Sequence, residues 1–97
     1  MKYSYEITPR PVELGGGWRL RLLVDAEEVG GAVFPVRKTD PHEGITWWNA
    51  MTEDDRGQWL AEADSARPVD AYQTFLLTDA YIDAENEAYL WLATREK

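Results

Sequence analysis

The sequence predicts an α+β fold: a three-stranded antiparallel meander followed by three helices, the last helix longest. Three observations lead there. Apolar and polar residues alternate through the first third of the chain, the apolar spacing becomes helical after Gly44, and glycine, proline and capping residues stand at the joints. In residues 2 to 8, Tyr3, Tyr5 and Ile7 fall on one side and Lys2, Ser4, Glu6 and Thr8 on the other, as in a half-buried strand ended by Pro9 and Pro11. After Gly15, Gly16 and Gly17, the residues Trp18, Leu20, Leu22 and Val24 alternate with Arg19, Arg21, Leu23 and Asp25, giving a second strand with one apolar face. Asp25 to Glu28 reads as a short polar turn. Val29 to Val36 can then return as a third strand, in which Gly30 and Gly31 suggest a bulge or a close backbone approach.

The stretch Arg37 to Gly44, with Lys38, Asp40, Pro41 and Gly44, reads as the connection from sheet to helices. Ile45, Trp48 and Ala50 or Met51 recur at helical spacing, so a short helix is expected near residues 44 to 51. Thr52 followed by Glu53, Asp54 and Asp55 is a strong N-terminal cap, since the hydroxyl accepts from a free backbone N–H and the acids oppose the helix dipole. The second helix should run from about 53 to 64. Ser65 to Pro68 breaks the chain, and the final helix should begin near Pro68, with Asp70 in its first turn, and continue to about Thr94. At 100° per residue Val69, Tyr72, Leu76, Leu77, Ala80, Tyr81, Ala84, Ala88, Trp91 and Leu92 make one broad apolar face. Phe75, Ile82 and Tyr89 recur every seven residues on the far side. That second apolar line is covered either by segment 45 to 64 or by a partner, and coverage by the chain itself is the simpler expectation.

A chain of 97 residues has room for one core, so residues 1–97 are read as a single domain. Five Trp and five Tyr bring ample area to bury. The chain has no Cys, hence no disulfide framework and no thiolate metal site; it shows no signal-peptide pattern and no apolar run long enough for a membrane span. A cytoplasmic protein that does not engage a membrane is expected.

Charge is unevenly spread. From Thr39 to Thr94 there are twelve Asp and Glu against two Arg, while the first 38 residues hold five acids and six bases, and the whole chain carries −8. Nucleic-acid binding depends on cationic contacts that displace counterions, so direct binding to nucleic acid is disfavoured; the basic surface of a bacterial protein is the favoured partner. Asp79, Asp83 and Glu87, four residues apart, form a ladder along one helix edge with about 6 Å of rise per step. Their repulsion is offset if they meet Arg or Lys of a partner, and the spacing is of the same order as that of backbone phosphates. A solvated helix face is the simpler account. Trp47 and Trp48 project about 100° apart, so one can be core while the other turns outward. Trp48 and Trp59 are the expected core members and Trp47 the candidate interaction anchor, beside Phe75, Ile82 and Tyr89.

No catalytic, cofactor or metal site emerges. His42, the single histidine, has neither a nucleophile-elbow serine nor an HExxH ligand spacing to work with. The Gly15 to Gly17 run precedes a strand and lacks the Lys and Ser or Thr of a phosphate loop. Arg19 and Arg21 project together from the second strand and either pair with the acidic helices or engage an anionic ligand.

The run GITWWNAMTEDDRGQWLAEADSARPVDAYQTFL, Gly44 to Leu76, with ELGGGWRLRLLVDAEEVGGAVFP before it, resembles small uncharacterised bacterial proteins carried on plasmids and integrative elements. The resemblance carries no activity and no site; it implies a setting of mobile DNA in a bacterial cytoplasm. By analogy with anti-restriction and anti-CRISPR proteins, a small acidic protein in that setting suggests a mobile-element, anti-defence inhibitor. The expectation is therefore a non-enzymatic acidic protein-binding module that blocks a basic nucleic-acid-binding surface of a defence or DNA-processing protein. The alternative is an accessory or structural homodimer closed by the Phe75, Ile82, Tyr89 line. A carboxylate-based enzyme stands third.

Overall fold

The computed structural model describes residues 1–95 and contains the expected architecture: three antiparallel strands followed by three helices, the last longest. Strand β1 is Tyr3–Pro9, β2 Trp18–Val24 and β3 Glu27–Phe34, in spatial order β1-β2-β3. Helix α1 is Pro41–Ala50, α2 Glu53–Ala63 and α3 Pro68–Arg95. The chain divides into two compact units. Met1–Val36 and the part of α3 from Asp79 onward make the first; Arg37–Thr78 makes the second.

In the first unit, β1 and β2 pair with Tyr3 opposite Val24, Tyr5 opposite Leu22 and Ile7 opposite Leu20, so the two apolar rows foreseen from alternation share a face. Edge-to-face rings join that face to α3: Tyr3 with Trp91 at 5.8 Å between centroids, Tyr5 with Tyr89 at 6.0 Å and Trp18 with Tyr81 at 4.9 Å. Between them Ala80, Ala84 and Ala88 are buried at four-residue intervals along the helix, where short side chains let backbone and sheet approach closely. Leu20 is the fully buried residue of the sheet.

Two details depart from the alternation. Leu23, assigned by period to the polar side with Arg19 and Arg21, is also buried, opposite Ser4 on β1 and Glu28 on β3. The ladder slips at this point: Leu22 faces Gly30 and Leu23 faces Glu28, leaving Val29 as the extra residue of a bulge beside the glycine pair. Gly31 supplies the close approach, since a Cβ there would lie 2.2 Å from the Leu20 carbonyl oxygen. The turn is tighter than Asp25 to Glu28. Only Asp25 and Ala26 separate the paired Val24 and Glu27, both with positive φ (50° and 69°), as a two-residue turn that follows the strand twist requires. Strand β3 accordingly begins earlier than Val29 and ends at Phe34, before Pro35 removes a backbone donor.

In the second unit, α1 starts three residues earlier than the apolar spacing indicated. The Asp40 carboxylate accepts from the Glu43 N–H at 3.0 Å and Pro41 occupies the first turn. Asp40, Pro41 and Glu43 had the pattern of a helix start, hidden because proline and glycine also mark loops. Thr52 caps α2 as expected, accepting from the Asp55 N–H at 3.2 Å, and Asp64 ends it in a left-handed conformation. Gly44 brings α1 against α3, where a Cβ would sit 2.9 Å from the Tyr72 ring.

Candidate functional site

The acidic ladder lies in the first unit. Asp79, Asp83 and Glu87 are all exposed on α3, and among the described residues none of the three has an ion-pair partner. Two acids of the same unit, both on strands, are already engaged. Glu28 receives Arg21 at 2.6 Å and Arg19 at 3.1 Å, and Glu6 receives Arg21 at 2.8 Å. This corrects the expectation that Arg19 and Arg21 pair with the acidic helices or hold an anion: their partners are carboxylates on the neighbouring strands, a cross-strand arrangement. The Arg21 guanidinium beside Glu28 holds that carboxyl below its ordinary range, and the same bond raises Arg21. The two strand carboxylates are thus neutralised within the sheet, whereas the three on α3 face solvent.

The line Phe75, Ile82, Tyr89 is not a single surface. Phe75 belongs to the second unit and packs against Trp47 at 5.0 Å and Trp59 at 5.5 Å, so segment 45 to 64 covers it. Ile82 is 48% exposed and Tyr89 52% exposed, though Tyr89 keeps an edge contact with Tyr5 and donates its hydroxyl to Glu85 at 3.1 Å. Hydrogen bonding with Tyr5, then with the Glu85 carboxylate, pushes the Tyr89 phenol up to about 12. Leu90 adds an exposed apolar side chain that the sequence reading missed. It stands three residues beyond Glu87 and seven beyond Asp83, so on a regular helix it shares their stripe. Ile82 stands three beyond Asp79. The α3 surface of this unit is therefore acidic with apolar side chains interleaved.

Trp47 is placed differently from the expectation of an outward-turned anchor. It is half-buried at the centre of the aromatic cluster of the second unit, 5.2 Å from Tyr72, 6.0 Å from Trp59 and 6.4 Å from Trp48 in addition to its contact with Phe75. A 100° separation from Trp48 does not by itself say which indole the neighbouring elements cover. Trp48 is half-buried as well, with the Arg56 guanidinium 5.3 Å from its ring centroid and the Arg56 Nε donating to the Trp48 carbonyl oxygen at 2.9 Å.

The second unit also holds an apolar groove of about 450 Å³, with Asp40, Ile45, Trp48, Val69 and Tyr72 among its lining residues. A neighbouring depression of about 440 Å³ takes in Arg37, His42 and Glu43, the first and last joined by an ion pair at 3.3 Å. His42 is exposed on α1, and the Ser65 hydroxyl is committed to the Asp70 carboxylate at 2.7 Å. No group of three or more His, Cys, Asp or Glu that could hold a metal ion is found among the described residues, and no described helix is long and apolar enough to cross a membrane. Compared with protein-family models, with curated proteins and with solved structures, the chain matches none of them.

Proposed function

We propose that this chain is a protein-binding module of the bacterial cytoplasm, acting without catalysis of its own, whose α3 surface occupies a basic nucleic-acid-binding site on a defence or DNA-processing protein. The observation that carries this reading is the contrast among carboxylates within one unit. Glu6 and Glu28 are matched by Arg19 and Arg21, while Asp79, Asp83 and Glu87 stand exposed and without an ion-pair partner among the described residues, beside the half-exposed Ile82 and the exposed Leu90. Like charges four residues apart destabilise a helix unless opposite charge arrives from elsewhere. A partner's Lys and Arg would supply it, and about 6 Å of rise between successive carboxylates is of the same order as the spacing of the phosphates such a site normally holds. Apolar side chains among the acids would supply the desolvated contacts that carry most binding energy, the charges setting approach rate and selectivity.

The test compares capture from a bacterial lysate by the native chain and by the triple variant Asp79→Asn, Asp83→Asn, Glu87→Gln. A basic nucleic-acid-binding protein should be retained by the first, lost by the second and released as salt rises, and its affinity for DNA or RNA should fall when the native chain is added. Equal capture by both chains, or a captured protein that still binds nucleic acid normally, defeats the proposal. A size that increases with concentration and reverts with Ile82→Lys would instead make this surface a contact between copies of the chain.

A further inference from the structure

The apolar groove of the second unit is built where α1 and α3 begin. Ile45 and Trp48 come from α1, Val69 and Tyr72 from α3. Ile45 is 56% exposed and Val69 51% exposed, so each helix leaves a large aliphatic side chain partly in water at the same place where two aromatic rings line the space. Such side chains gain from any apolar body that displaces the water over them. The volume, about 450 Å³, lies within the span of small-molecule sites, roughly 300 to 1,000 Å³. It suits one compact molecule.

Charge decides what kind. Asp40 is the one charged residue lining the groove. Its Oδ1 accepts from the Glu43 N–H at 3.0 Å, and no ion-pair partner for it is found among the described residues. The arginines of the unit are committed elsewhere: Arg37 to Glu43 at 3.3 Å, Arg56 to the ring and carbonyl of Trp48, and Arg67 to Asp70 at 3.9 Å. Two helix beginnings would ordinarily invite an anion. Here both helices open with a proline, which has no N–H to offer, the Glu43 N–H goes to Asp40, and the N–H groups of Asp70 and Ala71 go to the Arg67 carbonyl at 3.1 and 3.2 Å. Acceptor charge is present and the donors are largely spent. We propose that the groove binds a small organic cation, a protonated amine carried on an aromatic body, with the ammonium at the Asp40 carboxylate and the body against Ile45, Trp48, Val69 and Tyr72. The ring faces add a cation–π attraction to the carboxylate's own. Asp79, Asp83 and Glu87 belong to the other unit, so this reading and the one built on them can fail separately.

Three probes that share a ring and a short chain but differ in the head group test the proposal on the native chain: phenethylamine, phenethyl alcohol and hydrocinnamate. Titrations followed by amide chemical shifts should show saturable changes confined to residues 39–48 and 68–73, with the amine bound about tenfold more tightly than the alcohol, as a charge-assisted hydrogen bond allows, and the carboxylate bound least. Asp40→Asn then isolates the charge, because asparagine caps a helix about as well as aspartate and the circular dichroism spectrum should not change. In that variant the amine should fall to the level of the alcohol, whose own affinity stays the same. Val69→Trp, at an exposed position, fills the groove and should abolish binding of both. A carboxylate that binds as tightly as the amine, amine-induced shifts scattered over the acids of the whole chain without saturation, or an Asp40→Asn chain that still prefers the amine overturns the proposal.

Discussion

The two units solve the same packing problem with opposite materials. In the first, α3 offers Ala80, Ala84 and Ala88, all buried, and aromatic pairs stand to either side of this small-residue row. In the second, α1 and α2 bury no residue fully, and five rings, Trp47, Trp48, Trp59, Tyr72 and Phe75, span the space with centroids 5.0 to 6.4 Å apart. Alanine packing brings backbones close and leaves nothing to remove; ring packing fills a wide gap with a few large pieces and depends on each of them. The alanine row of the first unit should therefore be sensitive to added atoms and the ring cluster of the second to lost ones.

The largest effect is expected from Trp47→Ala. Trp47 touches four other rings, and truncating an aromatic residue in a packed cluster costs about 3 kcal/mol, near the lower end of the usual range because this indole is only half-buried. Amide exchange should report loss of protection concentrated in Arg37–Thr78; uniform loss across the chain would show that the two units do not respond separately. Ala84→Leu makes the opposite change in the first unit. Ala84 is fully buried, so three added heavy atoms have no space to enter and the cost is about 2 kcal/mol by chemical denaturation. A neutral outcome would mean that the sheet can withdraw from α3, and the contrast between the units would lose its physical basis.

How far the sequence reveals each unit follows from the same difference. Alternation in β1 and β2 puts Tyr3, Tyr5 and Ile7 on one side and Leu20 on the apolar side of its own strand, and projection at 100° per residue puts Ala80, Ala84 and Ala88 on the broad apolar face of α3, because periodic patterns record which side is covered. Val69 was assigned to that apolar face by the same spacing but is 51% exposed, since periodicity over one helix does not say where the covering element stops. Trp47 and Trp48 were separable in direction but not in role, as the choice depends on where α2 and α3 place Trp59 and Phe75. The acidic ladder was legible as a spacing. Its lack of ion-pair partners among the described residues was not, because the destination of Arg19 and Arg21 is fixed by pairing across the sheet rather than by anything local to either strand.

A smaller and favourable effect is expected at the β2–β3 turn. Ala26 has φ of 69° and Asp25 φ of 50°, a region in which a β-carbon crowds the backbone. Ala26→Gly relieves that crowding and should raise stability by about 0.5 to 1 kcal/mol, the gain reduced by the greater freedom of glycine in the unfolded chain. The shift would be read as a higher denaturation midpoint with an unchanged slope. A lower midpoint would place the turn in a conformation that alanine suits.

The finest test concerns Tyr89, where the first unit carries a ring pair at an exposed position rather than in a packed core. Its phenol is held up to about 12 from an ordinary value of 10.0, by hydrogen bonding with Tyr5 and with Glu85 that favours the protonated form. Because the folded value is the higher one, the folded chain retains a proton that the unfolded chain releases. The contribution to stability is fully present below pH 10 and is lost as pH rises from about 10 to about 12. In an absorbance titration, subtracting the Tyr89→Phe curve from the native one should leave a single phenol ionising near pH 12, with circular dichroism confirming that both chains stay folded over the range. Glu85→Gln should move that transition down toward 10, since it removes the carboxylate charge but leaves an acceptor. A difference curve already centred near pH 10 in the native chain would mean that Tyr89 is free of Tyr5 and Glu85, and that the ring contacts of the first unit end with Tyr3, Trp18, Tyr81 and Trp91.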